Sequence, residues 1–250
     1  DNPALPLNDG AARRHWTRLL GRATAVTAVS RGLLERIARA LPSIARRARV
    51  VYNGVEDSMF PSRRRPRPRQ RAFILCPARL AHYKGIDLLL LAWKDACSSL
   101  KGIDLVFCGP DHSQGRLQRF CRLLGLSGRT RFLGAVGRGK MRELMGSCLF
   151  AVLASRHESF GVAALEAMAG GKAVLATRTD GPSEVVLHGD TGLLVEPNRV
   201  EPLREALLLL GRNSRLRDRL GRQGARRADS FRWEHIAEAY LPLYAAGARS

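Results

Sequence analysis

Glu158 and Glu166, with seven residues between them, lie in the stretch 155–174, SRHESFGVAALEAMAGGKAV. An apolar run at 149–153 precedes this stretch and another closes it at 173–176. The segment therefore reads as strand, sharp turn, short helix, strand. Gly161 falls where the helix should begin. In an open parallel sheet the ligand crevice lies at the carboxyl ends of the strands. Unpaired backbone N–H groups at a helix start attract phosphate, and Gly161 and Val162 are placed to offer them. Two carboxylates beside an anion site require a ligand that also carries hydroxyls. Glu166, in the second turn among small apolar neighbours, suits a diol such as that of ribose. Glu158, in the turn, suits sugar hydroxyls or positive charge at an anomeric carbon, or else it is a local capping group. Arg79 and Lys84 flank the loop ARLAHYKG after the apolar run 72–76. There they either clamp a diphosphate or are two surface charges in a chain with 42 basic residues. The segment DGPSE at 180–184 follows another strand-like run and is either plain turn chemistry or a rim over the same ligand.

Other chemistry fails on spacing. GAVGRGK at 134–140 has the glycine pattern of a P-loop, but Met141 stands where Ser or Thr must hold magnesium. His157 has no second histidine or cysteine at ligand spacing, so no metal site is expected. The five cysteines show no CxxC and no zinc spacing. Cys76, Cys108 and Cys148 fall in or beside strand-like apolar runs, where a reduced cysteine behaves as a small hydrophobe, which suits a reducing, cytoplasmic setting. No apolar run approaches the ~18 residues of a membrane span, and nothing at the start reads as a signal peptide. The formal charge of +20 is almost all arginine, since lysine occurs only at 84, 94, 101, 140 and 172. Such a charge reflects either arginine-rich coding or an anionic partner surface. Nucleic acid is not expected: basic residues are not interleaved with aromatics, and no recognisable binding motif is present.

The elements that must position these residues recur at regular intervals. Strand-like runs at 72–76, 103–108, 130–133, 149–153, 173–177 and 191–196 alternate with helical stretches at 85–100, 114–124, 140–147, 200–212 and 215–228. That rhythm predicts an α/β protein with a doubly wound parallel sheet. Residues 1–60 supply one or two βα units, with Ser30 as N-cap of a helix at 31–41. Residues 61–71 (PSRRRPRPRQR) have the composition of a solvated linker. A last helix over 233–244, within the tail 229–250, presents Trp233, Ile236, Ala237, Tyr240 and Leu241 on one face. That face is expected to pack back toward the N-terminal residues.

The order of these motifs resembles the GT-B retaining glycosyltransferases of family 4, the glycosyl transferases group 1. Residues 73–87 (FILCPARLAHYKGID) resemble that family's strand and GRL…KG loop, and 158–166 its E-x7-E signature. Residues 170–174 resemble its GxPV element, with Lys172 and Ala173 replacing the proline step. Residues 180–185 resemble its GGxxE loop, with Asp180 where the first glycine is common. Residues 188–195 resemble a following strand, 51–60 (VYNGVEDSMF) the domain crossing, and 231–240 the closing helix.

The resemblance implies a Rossmann-like donor domain at 72–228 behind a remnant of the N-terminal acceptor domain at 1–60. It implies that Arg79 and Lys84 hold the diphosphate and that backbone amides of Phe160, Gly161 and Val162 meet the sugar and distal phosphate. Glu158 then contacts sugar hydroxyls, and Glu166 the ribose diol. The implied reaction is metal-independent transfer, with retention, from a UDP- or GDP-sugar to a glycan or lipid-linked acceptor. Arginine would allow peripheral contact with an anionic membrane face. Because catalysis in this fold uses both domains, the 250-residue piece is expected to bind donor and to turn over poorly. The alternative is a non-catalytic nucleotide- or sugar-binding module.

Overall fold

A computed structural model of the chain describes residues 10–60 and 71–247. The linker expected at 61–71 falls, apart from Arg71, outside the described residues. In chain order the elements are α1 (Gly10–Gly21), β1 (Val26–Ala28), α2 (Arg31–Ala40), α3 (Pro42–Ala45), β2 (Ala48–Val50), β3 (Ala72–Pro77), α4 (Ile86–Ala96), β4 (Ile103–Cys108), α5 (Arg116–Leu123) and β5 (Thr130–Phe132). They continue with α6 (Arg138–Ser147), β6 (Phe150–Leu153), α7 (Val162–Ala169), β7 (Ala173–Thr177), α8 (Pro182–Val185), β8 (Leu193–Val195), α9 (Val200–Arg212), α10 (Ser214–Asp229), α11 (Trp233–Glu238) and α12 (Leu241–Gly247).

Strands β3 to β8 form one parallel sheet in the order β5-β4-β3-β6-β7-β8. The chain winds outward from β3 through β4 to β5, returns to β6 on the other side of β3, and winds outward again. The reversal therefore lies between β3 and β6, and in open parallel sheets ligands bind outside the strands' carboxyl ends at such a point. The two strands meet through the Leu75–Ala151 bridge. Unbroken apolar runs make this possible, because a parallel sheet is covered on both faces. Along β3 the side chains alternate. Phe73 and Leu75 enter one core with α6 and α7, while Ile74 and Cys76 enter the other with α4 and α9. Trp93 is fully buried on α4, and its indole N–H donates to the Arg129 carbonyl at 3.3 Å.

Residues 10–50 make a smaller unit in which β1 pairs in parallel with β2. The Ser30 hydroxyl accepts from the Leu33 N–H at 3.1 Å, so the expected N-cap of α2 is present. Residues 51–60 then cross to the large sheet, and the Val55 N–H donates to the Phe231 carbonyl at 2.8 Å. Tyr52, Phe160 and Phe231 form a ring cluster with centroids 5.6 to 6.2 Å apart. The single helix expected over 233–244 is corrected to two, α11 and α12. Pro242 has no N–H to give, and its ring would clash with the carbonyl four residues back, so the helix stops and restarts. Helix α5 likewise begins two residues later than expected, because Gln114 and Gly115 are left-handed at φ 54° and 75°.

Candidate functional site

The loops that leave β3 and β6 carry the residues picked out by chemistry, and they meet. Lys84 ends a single 3-10 turn, His82–Lys84. Its Nζ donates to Oε2 of Glu158 at 2.5 Å, and the side chains of the pair are only 15% and 16% exposed. Arg79 joins them across Tyr83: the guanidinium carbon lies 5.9 Å and the Lys84 nitrogen 5.3 Å from the centre of that ring. Two cations over one aromatic ring are held by its electron-rich face.

Arg156, which the sequence reading passed over, fastens the two loops together. Its guanidinium makes a two-pronged contact with Asp87, 2.8 Å on each prong, and also donates to the His82 carbonyl at 2.7 Å. Its backbone N–H donates to the Tyr83 carbonyl at 2.8 Å. Burial pushes the Asp87 carboxyl up, but the hydrogen bonds and charge of Arg156 outweigh that and hold it below its usual range. No spacing rule ties residue 87 to residue 156; only the adjacency of β3 and β6 does.

The turn 158–161 is shaped by close backbone contact. Gly161 adopts φ 90° as N-cap of α7, a conformation that favours glycine. Gly181 presses on the turn from the neighbouring loop: a Cβ there would sit 2.0 Å from the Phe160 Cα. The Gly181 N–H donates to the Glu158 carbonyl at 3.1 Å. Phe160 is 2% exposed, with its ring in the core cluster, so only its backbone can serve a ligand. Val162 opens α7, and its side chain is partly exposed. The first amides of a helix have no acceptor within it and lie outward.

Glu166 is half-buried one turn further along, and it is not brought into contact with Lys84. Its charged neighbours are Glu56 and Arg138, which pair with each other. Burial raises the Glu166 carboxyl above its usual range, Glu56 raises it further, and Arg138 opposes them. Arg138 belongs to the segment 134–140, so that stretch reaches the Glu166 neighbourhood although it is no P-loop. Replacing Glu166 with Gln is expected to stabilise the ligand-free chain at neutral pH. A group with a raised folded-state value adds stability only while protonated and loses it as pH rises through that value. The expected gain is about 1–3 °C in unfolding midpoint at pH 7, vanishing below about pH 4; equal midpoints at pH 7 would refute it.

The loop 180–184 turns its carboxylates toward residues 30–52. Asp180 pairs with Arg36 at 2.9 Å. Glu184 accepts from the Gly32 N–H and from the Tyr52 hydroxyl, each at 3.0 Å. Arg227 holds the same loop through the Glu184 and Val185 carbonyls at 2.6 and 2.7 Å. The five cysteines are free thiols, and burial pushes Cys76 and Cys148 up to about 12, which leaves them unreactive. Among the described residues no group of three His, Cys, Asp or Glu side chains is placed to hold a metal ion, and no helix is long and apolar enough to cross a membrane. His157 is an exposed loop residue.

Comparison with known proteins defines the class. Sucrose-phosphate synthase of Thermosynechococcus elongatus superposes with a TM-score of 0.86 at 25% identity, over all of this chain and 65% of that one. HepE of Anabaena, solved with UDP and glucose, superposes with a TM-score of 0.85 at 21% identity, over 96% of this chain and 68% of that one. The fold is that of the GT-B glycosyltransferases. The sequence pattern of the glycosyl transferases group 1 matches residues 60–227, and the chain belongs to that family. An uncharacterised glycosyltransferase of Methanocaldococcus jannaschii is 33% identical over 202 residues, 81% of this chain and 54% of that protein. The chain spans about half the length of the curated relatives it matches.

Proposed function

We propose that this chain is the donor-binding side of a glycosyltransferase that moves a sugar, with retention and without a metal, from a UDP- or GDP-sugar to a glycan or lipid-linked acceptor. One observation carries the reading: at the reversal point of the sheet, the loops after β3 and β6 bring Lys84 and Glu158 into contact beside the N-terminus of α7. In this reading Arg79 and Lys84 clamp the diphosphate, the amides of Phe160, Gly161 and Val162 take the distal phosphate and sugar, and Glu166 accepts from the ribose diol. Negative charge grows on the diphosphate as the glycosidic bond breaks, and a fixed cation clamp with helix-end dipoles stabilises that charge where it develops. The solved HepE complex with UDP and glucose supports the donor class. Residues 72–228 serve as the donor domain, 1–60 as the remnant of the acceptor domain, and 229–250 as a C-terminal tail packing back toward the N-terminal domain.

Calorimetric titration with UDP-glucose and GDP-mannose tests the reading: saturable binding of one of them is expected, and binding of neither refutes it. Full transfer by the complete enzyme in EDTA tests metal independence, and the anomeric configuration of the product tests retention.

A cytoplasmic setting with peripheral membrane contact belongs to the same proposal. Residues 10–50 contain ten arginines against a single acidic residue, Glu35, and Arg13, Arg14, Arg18, Arg22, Arg46 and Arg49 are exposed. Such a surface attracts anionic lipid at about 1 kcal/mol per nearby basic residue. Co-sedimentation with vesicles of anionic phospholipid is expected at low salt and is lost at high salt. No association at low salt would remove this part.

A further inference from the structure

We propose that the Lys84–Glu158 ion pair is a placeholder that makes the site select a complete nucleotide sugar over the bare nucleoside diphosphate, with Glu158 as the specificity-determining residue. The inference rests on the donor-site reading above. Lys84, the cation assigned to phosphate, already holds an anion, with 2.5 Å between Nζ and Oε2 and both side chains largely shielded from water. The backbone beneath Glu158 is fixed by the Gly181 hydrogen bond and by the buried Phe160 ring. The side chain is therefore the part that can yield.

A diphosphate approaching Lys84 brings negative charge against a carboxylate that shares the same ammonium. Like charges at that separation in a partly buried site repel strongly, so phosphate must displace Glu158. A partly buried carboxylate stripped of its cation is costly unless new donors replace it. A bare nucleoside diphosphate offers none beside its distal phosphate, since its ribose diol is taken by Glu166 in the reading above. A sugar on the distal phosphate offers hydroxyl groups, which donate to a carboxylate. The exchange breaks no covalent bond: Lys84 passes from carboxylate to phosphate, and Glu158 passes from ammonium to sugar hydroxyls. The same exchange runs backward once the sugar has left, which weakens the hold on the product nucleotide.

The test is calorimetric titration of wild type, Glu158→Gln and Glu158→Ala with UDP, GDP, UDP-glucose and GDP-mannose, with unfolding transitions recorded for each protein. For the base that wild type accepts, both variants are expected to bind the bare diphosphate about fivefold tighter, since Lys84 is released from a screened pair. Both are expected to bind the nucleotide sugar more weakly, so the preference for the sugar falls by more than about tenfold. Unchanged or weaker diphosphate binding in the folded variants overturns the placeholder and leaves the donor reading standing. Equal affinity of wild type for diphosphate and nucleotide sugar also overturns it. Wild type binding none of the four ligands overturns the donor reading itself, and the placeholder with it.

Discussion

Replacing both Arg79 and Lys84 by alanine is expected to remove nucleotide-sugar binding, with a loss of about 100-fold or more in affinity, because each charge-assisted hydrogen bond to phosphate is worth about 1.5–3 kcal/mol. The single variants should differ in a way that exposes the geometry. Lys84→Ala leaves Glu158 as a largely shielded carboxylate without its cation, so it should also lower ligand-free stability, by about 1–3 kcal/mol. Arg79→Ala keeps the Lys84–Glu158 pair intact and should still weaken donor binding. Calorimetry for affinity and urea unfolding for stability separate the two. Undiminished binding by the double variant would mean that the cations over Tyr83 are not the phosphate clamp.

Much of the fold could be read before the structure. The apolar runs of β3, β4, β6 and β7 are long because both faces of a parallel sheet are buried, and their spacing left room for one helix each. The site was legible to the extent that it obeys the same rule. Arg79, Lys84, Glu158 and Gly161 each follow a strand end, and the structure brings the first three around Tyr83. Spacing along the chain could not supply contacts between segments far apart in sequence. Arg156 with Asp87 spans 69 residues, Arg138 with Glu56 spans 82, and Glu184 with Gly32 spans 152. Each depends on strand order, which alternating strands and helices do not determine. Phe160 was legible as a turn residue but not as a core ring, because its neighbours Tyr52 and Phe231 come from opposite ends of the chain. In the sequence the segment 180–184 reads equally as turn chemistry or as a ligand rim. The partners of Asp180 and Glu184, which are Arg36, Gly32 and Tyr52, lie in the N-terminal residues, which a local reading of DGPSE could not reach.

That loop carries the second large effect. Gly181→Ala is expected to destabilise the chain by about 2–3 kcal/mol and to weaken donor binding at the same time. The conformation at Gly181 is an ordinary one, with φ −73°, so left-handed strain is not the cause. The cause is space: the added methyl would lie 2.0 Å from the Phe160 Cα and 2.4 Å from its carbonyl carbon. These are backbone atoms, so no side-chain rotation relieves the overlap. Relief requires the turn 158–161 and the loop 180–184 to separate. Separation would cost the Gly181–Glu158 hydrogen bond and shift the Phe160 ring within its cluster. It would also carry Glu158 away from Lys84 and tilt the first amides of α7. On the other side of the loop, Asp180 and Glu184 would drag on Arg36, Gly32 and Tyr52, so the strain is shared between the turn 158–161 and residues 30–52. Urea unfolding and nucleotide titration on the same variant measure the two effects. A variant that loses stability but binds donor with wild-type affinity would show that the turn can recover its shape without Gly181, and would break the proposed link between this contact and the site.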